Sequence, residues 1–126
     1  MHIVPLYAAL LALMFTALSV RTLRLRRILS IAIGDSGNQV LLRAMRVHSN
    51  FAEYIPLSLF LLFLVESKGA SAFFVHLLGL ALLVGRASHA YGVSHTSENY
   101  RFRVIGMALT LSTLLASSAF LLRGYL

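Results

Sequence analysis

The stretch VHSNFAEYIPLSLFLLFLV, from Val47 to Val65, is mostly apolar and is long enough to form a membrane-crossing helix. Three further apolar runs lie at roughly Ile3–Val20, Ala70–Tyr91 and Val104–Leu122. Each is close to the ~20 residues that an α-helix needs to cross ~30 Å of hydrocarbon. Backbone groups in a bilayer must pair within their own segment, so all four runs are predicted to be helices. The sequence therefore predicts an all-α integral membrane four-helix bundle, a single domain over residues 1–126, with helices at about 3–28, 40–66, 70–92 and 101–123.

The composition also favours a membrane protein. Of the 126 residues, 59% are hydrophobic and 12% are charged, against about 25% charged in a soluble domain. The formal charge is +7. The arginines lie at the ends of apolar runs, so they indicate membrane topology and argue against a nucleic-acid partner. The chain has no cysteine, which excludes disulfides, thiolate metal sites and a protein thiol nucleophile.

The positions of the basic residues predict the orientation. The arginines that follow the first helix and those that precede the fourth fall on the same side of the membrane. They are Arg21, Arg24, Arg26, Arg27, Arg101 and Arg103. The opposite side has only Lys68 and Arg123. The positive-inside rule therefore places both termini outside the cytoplasm. The first run lacks a basic leader and a small-residue cleavage site, so a retained helix is expected and a signal peptide is not.

Helix two carries charged residues where apolar ones are expected. Arg43, Arg46, Asn50 and Glu53 recur at i, i+3, i+7 and i+10, which places them in a stripe about 80° wide on one face. Glu53 is expected deep in the bilayer, where a carboxylate costs several kcal/mol unless it is paired or hydrated. One interpretation is an internal ion-pair network that fixes helix packing. The other is a polar cleft for a zwitterionic ligand, with arginines for carboxylates, Glu53 for an ammonium and Asn50 for an amide.

Further polar side chains are expected near this stripe. Tyr54 lies at its edge, whereas His48 points away. Arg86 and His89 share a face at the cytoplasmic end of helix three, and His89 is either structural or a donor to a ligand. The histidines show no metal-ligand spacing, so no metal is predicted.

Small residues indicate where helices approach closely. Helix three contains Gly79, Gly85 and Gly92, and helix four has a stripe of small residues at i, i+4, i+7 and i+11, namely Gly106, Thr110, Thr113 and Ser117. Such patterns are typical of helix–helix contacts in membranes. These faces are expected to serve contacts between copies of the chain as well, since one copy alone has few ways to satisfy Glu53.

The segment RAMRVHSNFAEYIP, Arg43–Pro56, resembles the helix-two signature of the MAPEG superfamily, the membrane-associated proteins in eicosanoid and glutathione metabolism. The segment GRASHAYG, Gly85–Gly92, is similar to the family's end of helix three. The resemblance is closest to the short bacterial inner-membrane branch. It implies a homotrimer of four-helix protomers, with glutathione as the co-substrate, bound between protomers near the cytoplasmic face.

The resemblance also implies roles for individual residues. An arginine at the start of helix four, Arg101 or Arg103, is expected to stabilise the glutathione thiolate, and one sequence does not decide between them. Val93 stands where the family often has a tyrosine, so one hydroxyl is missing. The residues expected to bind glutathione are Arg43, Arg46, Asn50, Glu53, Tyr54, Arg86 and His89.

The sequence indicates one function above two others. The leading one is a membrane-bound glutathione transferase or peroxidase acting on lipophilic electrophiles or hydroperoxides. Cationic donors near the sulfur would raise its thiolate fraction, so the protein needs no nucleophile of its own. The alternative is a non-catalytic membrane protein of the same fold that binds a thiol or lipid. A small transporter is disfavoured, because the chain has neither inverted halves nor broken helices.

Overall fold

The computed structural model describes residues 2–97 and 99–125, and Met1, Glu98 and Leu126 lie outside the described residues. Within these ranges the chain forms α1 (Val4–Leu29), α2 (Gln39–Ser67), α3 (Ala72–Ser94) and α4 (Tyr100–Leu122). All four helices are long and apolar enough to cross a membrane. The predicted all-helical, four-helix architecture is therefore confirmed. Helix three is displaced along the chain from the predicted 70–92 to Ala72–Ser94.

Polar side chains define where three of the helices begin. The Asn38 side-chain oxygen accepts hydrogen bonds from two amides in the first turn of α2, at 3.0 and 3.1 Å. Ser71 and Asn99 cap α3 and α4 in the same way. Such caps satisfy backbone N–H groups that have no partner inside the helix. Gly34, Gly37 and Gly69 lie in the links between helices, and all three have positive φ, a conformation that glycine adopts at little cost.

The start of α1 is held by an acid from the end of α2. The Glu66 carboxylate accepts from the backbone N–H of Ile3 and, at 3.4 Å, from that of Val4. A carboxylate at a helix N-terminus also interacts favourably with the helix dipole. This contact ties the first helix to the α2–α3 hairpin at the end of the bundle opposite the arginines.

The small-residue stripe of α4 is the face that packs on α3. The buried residues of α4 are Gly106, Thr110, Thr113 and Ser117, so the predicted helix–helix contact is confirmed. A Cβ on Gly106 would lie 2.5 Å from the backbone nitrogen of His89, which means that the two backbones touch. Both faces are therefore occupied within one protomer, and their expected role in contacts between copies stays a prediction.

The core and the outer surface follow from this packing. Apolar clusters fill the space between α1, α2 and α3, and one of them, with Val47, Ala90 and Val93, lies at the basic end. We use "basic end" for the end where α1 and α3 finish and α2 and α4 begin. Large apolar side chains such as Leu13 and Leu115, 69% and 71% exposed, cover the outside. Such an outer surface suits contact with lipid.

Candidate functional site

An open cleft of about 410 Å³ lies at the basic end between α2, α3 and α4. Its walls come from the first half of α2, the end of α3 and the first turn of α4. It brings together most of the predicted site residues, and its lining consists of Gln39, Leu42, Arg43, Arg46, Ser49, Asn50, Glu53, His89, Val93 and Arg103.

Three predicted site residues do not line this cleft. Arg86 is 1% exposed and lies one layer behind Asn50. Tyr54 is half-buried, with its ring centroid 5.9 Å from the Arg86 guanidinium carbon. Arg101 is exposed at the start of α4. Direct contact between these residues and a ligand therefore stays a prediction.

Arg86 orients the polar groups that do face the cleft. Its Nη2 donates to Asn50 Oδ1 at 2.6 Å and lies 3.3 Å from His89 Nδ1, and its Nη1 donates to Thr110 Oγ1 at 3.5 Å. Because a guanidinium only donates, Asn50 Oδ1 and His89 Nδ1 are both acceptors here. The NH2 group of Asn50 is then the part of the amide that a ligand meets. In the part of the chain that the structure describes, no carboxylate contacts Arg86.

Glu53 is the central residue of α2 and is exposed on the surface of the protomer. Among residues 2–97 and 99–125, nothing forms an ion pair or hydrogen bond with its carboxylate. Arg46 is also exposed and lies two turns earlier, about 10.5 Å along the axis. A bare carboxylate at mid-membrane costs several kcal/mol. The isolated protomer therefore leaves opposite charges on a membrane-facing surface that a ligand or a second copy would stabilise.

The start of α2 and the first turn of α4 add further arginines to the cleft. Arg43 Nη1 donates to the backbone oxygen of Val93 at 3.2 Å, which joins the start of α2 to the end of α3. Arg103 enters from the first turn of α4. Together with Arg46, these two arginines lie beside one acid, Glu53, among the described residues of the lining, and arginine side chains are good partners for carboxylates.

Two polar residues of the lining, Gln39 and Ser49, were not predicted from the sequence. Their spacing places them on the same helix face as the charged stripe, since Gln39 precedes Arg43 by four residues and Ser49 follows Arg46 by three. The prediction that His48 points away is confirmed. Its ring stacks on Phe15 of α1 at 4.8 Å, and its Nε2 lies 3.0 Å from Ser19 Oγ.

Comparison with known proteins identifies the family. The model of the MAPEG family matches residues 4–123, which include all four helices and the cleft. The chain belongs to the MAPEG family. One relative, inner membrane protein YecN of Escherichia coli K12, is 41% identical over 110 residues, which cover 87% of this chain and 82% of YecN. YecN of E. coli O6:H1 matches to the same extent. No solved structure gives a significant match.

Proposed function

We propose that this MAPEG protein is a bacterial inner-membrane glutathione transferase or peroxidase that acts on lipophilic electrophiles or hydroperoxides. The observation that carries the proposal is the exposed Glu53 at the centre of α2, which has no ion-pair or hydrogen-bond partner among residues 2–97 and 99–125 and shares its cleft with Arg46. Reduced glutathione has two carboxylates, one ammonium and a thiol. Family membership and the similarity to an inner membrane protein support the same assignment.

The cleft offers a partner for each charged group of glutathione. Glu53 would accept from the γ-glutamyl ammonium, Arg43 and Arg46 would bind carboxylates, and the Asn50 NH2 group would donate to a carbonyl. The two turns between Arg46 and Glu53 span about 10.5 Å. That is close to the ~10–11 Å that three extended residues reach. The spacing therefore suits a tripeptide lying along α2.

A homotrimer would close this cleft, and we propose that α2 forms the contact. The exposed face of α2 that contains Arg46 and Glu53 continues through Leu57 and Phe60, which are 55% and 57% exposed. The small-residue faces of α3 and α4 are already occupied within the protomer. A neighbouring copy on the α2 face would remove Glu53 from lipid and place glutathione between protomers.

Native mass spectrometry in mild detergent is expected to show three copies of the chain. Leu57→Arg should shift the protein to smaller species, because it places a charge in the proposed contact. Leu115→Arg on α4 is the matched control and should remain trimeric, since Leu115 lies on the outer surface. Monomers or dimers alone from the wild type would refute the trimer.

Arg103 is the better candidate to stabilise the thiolate, because it lines the cleft whereas Arg101 does not. Arg103→Leu should raise the pKa of the bound thiol and lower the rate, with a smaller effect on affinity. Arg101→Leu should change neither property. Thiolate absorbance titrated against pH in the wild type and both variants checks this. A raised thiol pKa in Arg101→Leu alone would overturn the assignment and give the role to Arg101.

The arginines at the basic end support a cytoplasmic position for the α1–α2 and α3–α4 links. A reporter that works only in the cytoplasm should be active when inserted within Ser30–Asn38 and inactive when fused after Leu126. Fusions to both sites in one reporter system measure this directly. The opposite pattern of activity would reverse the orientation and put the cleft on the other side of the membrane.

A second candidate is a non-catalytic MAPEG protein that binds a thiol or lipid. The apolar Val93 in the cleft wall favours it, because no side-chain hydroxyl stands at that position to assist the sulfur. Glutathione binding without turnover of a lipophilic electrophile or a lipid hydroperoxide would support this function over the enzyme.

A further inference from the structure

Positive charge also lies at the end of the bundle opposite the basic end, where α2 and α4 finish and α1 and α3 begin. We call this the far end. Lys68 is the C-cap residue of α2 and Arg123 that of α4, and both line one cavity of about 280 Å³. A cavity of about 470 Å³ adjoins it, since Phe120 and Arg123 line both. Phe73, in the first turn of α3, lies in the wall of the larger one.

The two cations at the far end have no ion-pair partner among residues 2–97 and 99–125. Glu66 is the one described acid at this end. Its carboxylate accepts from the backbone N–H groups of Ile3 and Val4, and it lines neither cavity. A helix C-terminus favours a nearby cation, which accounts for where each charge lies but leaves its attraction for an anion unused.

Arg123 is held on an aromatic platform. Its guanidinium carbon lies 4.3 Å from the centroid of the Phe120 ring, and that ring packs on Phe74, with centroids 5.5 Å apart. Stacking covers one face of a guanidinium, whereas the N–H donors point outward in its plane and suit phosphate or carboxylate oxygens. In the part of the chain that the structure describes, no hydrogen bond occupies these side-chain donors. The arginine is therefore oriented and able to bind an anion.

The far end lies at the depth of lipid headgroups. α4 has 23 residues and is about 34 Å long, close to the ~30 Å of a hydrocarbon core. Arg123 directly follows this helix, so it lies at the boundary between hydrocarbon and headgroups. Tyr125 beside it is exposed, and tyrosine is enriched at that boundary. The anion available at this depth is the phosphate of a phospholipid.

An apolar line on α3 runs from the larger cavity into the hydrocarbon. Phe73, Leu77, Leu80 and Val84 are all exposed and recur at i, i+4, i+7 and i+11, so they share one face of the helix. We call this line the α3 track. It rises about 16 Å, and one leaflet contributes about 15 Å of hydrocarbon. The track therefore matches the length of one acyl chain.

We propose that the far end binds an anionic glycerophospholipid, with its phosphate between Lys68 and Arg123 and one acyl chain along the α3 track. A lipid is favoured over a free phosphate ion because the charged cavities open onto an apolar track one leaflet long. The bound phosphate would join the ends of α2 and α4. The site needs no glutathione, so it stands or fails separately from the proposed activity.

The chain contains no tryptophan, so one introduced fluorophore can report on the track. Leu80→Trp places it on the track, and Leu13→Trp places it on the exposed surface of α1. Both positions lie about 12–14 Å from the start of their helices. The purified proteins are titrated in mild detergent with phosphatidylglycerol brominated in mid-chain, because bromine quenches nearby tryptophan. Quenching should saturate in Leu80→Trp and rise only gradually, with partition into micelles, in Leu13→Trp. Equal, non-saturating quenching of both would overturn the site.

The headgroup and the two cations are then changed in the Leu80→Trp protein. Phosphatidylcholine with the same bromines should need a roughly tenfold higher concentration, because its choline offsets the phosphate charge. Lys68→Gln with Arg123→Gln should remove this preference. The charge-matched pair Arg24→Gln with Arg27→Gln, at exposed positions of the basic end, should keep it. Equal potency of the two lipids before any cation is changed, or equal loss of the preference in both double variants, would contradict the proposal.

Two further measurements test other occupants of the far end. Inorganic phosphate at millimolar concentration should not restore the quenched fluorescence, and displacement of the lipid would assign the cavities to a free phosphate ion. Native mass spectrometry of Lys68→Gln with Arg123→Gln should give the same number of copies as the wild type. Dissociation into smaller species would assign this surface to a second copy of the chain and overturn the lipid site.

Discussion

Replacing Glu53 by glutamine is expected to weaken glutathione binding by roughly 10- to 150-fold, because a charged hydrogen bond is worth about 1.5–3 kcal/mol. Glutamine keeps the shape of the side chain and removes the charge that would meet the γ-glutamyl ammonium. The carboxylate has no ion-pair or hydrogen-bond partner within the described chain, so the variant breaks no internal contact there. Loss of affinity should therefore come without loss of folded protein.

Isothermal titration calorimetry on detergent-purified protein measures this change. Arg46→Leu should weaken binding by a similar factor, since it removes a carboxylate partner from the same cleft. Arg24→Leu is the matched control, because Arg24 is exposed on α1 outside the cleft. If Glu53→Gln bound glutathione with an affinity within twofold of the wild type, Glu53 would not be part of the glutathione site.

Gly106→Ala is expected to lower the free energy of unfolding by about 1–3 kcal/mol, the usual cost of overpacking a well-packed core. The added Cβ would lie 2.5 Å from His89 N and 2.6 Å from Gly85 O. Both atoms belong to the backbone of α3, so the helices must separate. Because His89 and Arg103 flank this crossing in the cleft, glutathione binding should weaken as well.

Gly124→Ala provides the matched control for this substitution. A Cβ there meets only the Leu121 backbone oxygen, at an ordinary 3.6 Å. Thermal unfolding in detergent, followed by circular dichroism, should show a lower midpoint for Gly106→Ala and an unchanged one for Gly124→Ala. Equal midpoints for the two variants would show that the α3–α4 contact is looser than the structure indicates.

The helices and the charged stripe were predictable because both depend on local periodicity. Apolar runs of membrane-crossing length gave the four helices. The 3.6-residue period placed Arg43, Arg46, Asn50 and Glu53 on one face, and the structure brings all four to one cleft. His48 was excluded from that face by the same argument.

Contacts between helices were harder to predict, since they depend on the register of one helix against another. Periodicity put Arg86 and His89 on one face but did not reveal that Arg86 turns to Asn50 and Thr110, behind the cleft. It also gave no sign that Glu66 meets the start of α1, sixty-three positions away. The glycines of α3 correctly predicted close helix packing. Composition alone did not show whether the packing partner is a helix of the same protomer or of another copy.

Glu53 is expected to bind the ammonium of glutathione, and a ligand that lacks this ammonium provides the test. Reduced glutathione and its N-acetyl derivative, which lacks the ammonium, are titrated into purified wild-type protein and into Glu53→Gln. We expect saturable binding of glutathione to the wild type, roughly tenfold or more weaker binding of the acetylated ligand, and no preference between the two in Glu53→Gln. No saturable binding of glutathione at millimolar concentration, or equal affinity of the wild type for both ligands, would contradict it.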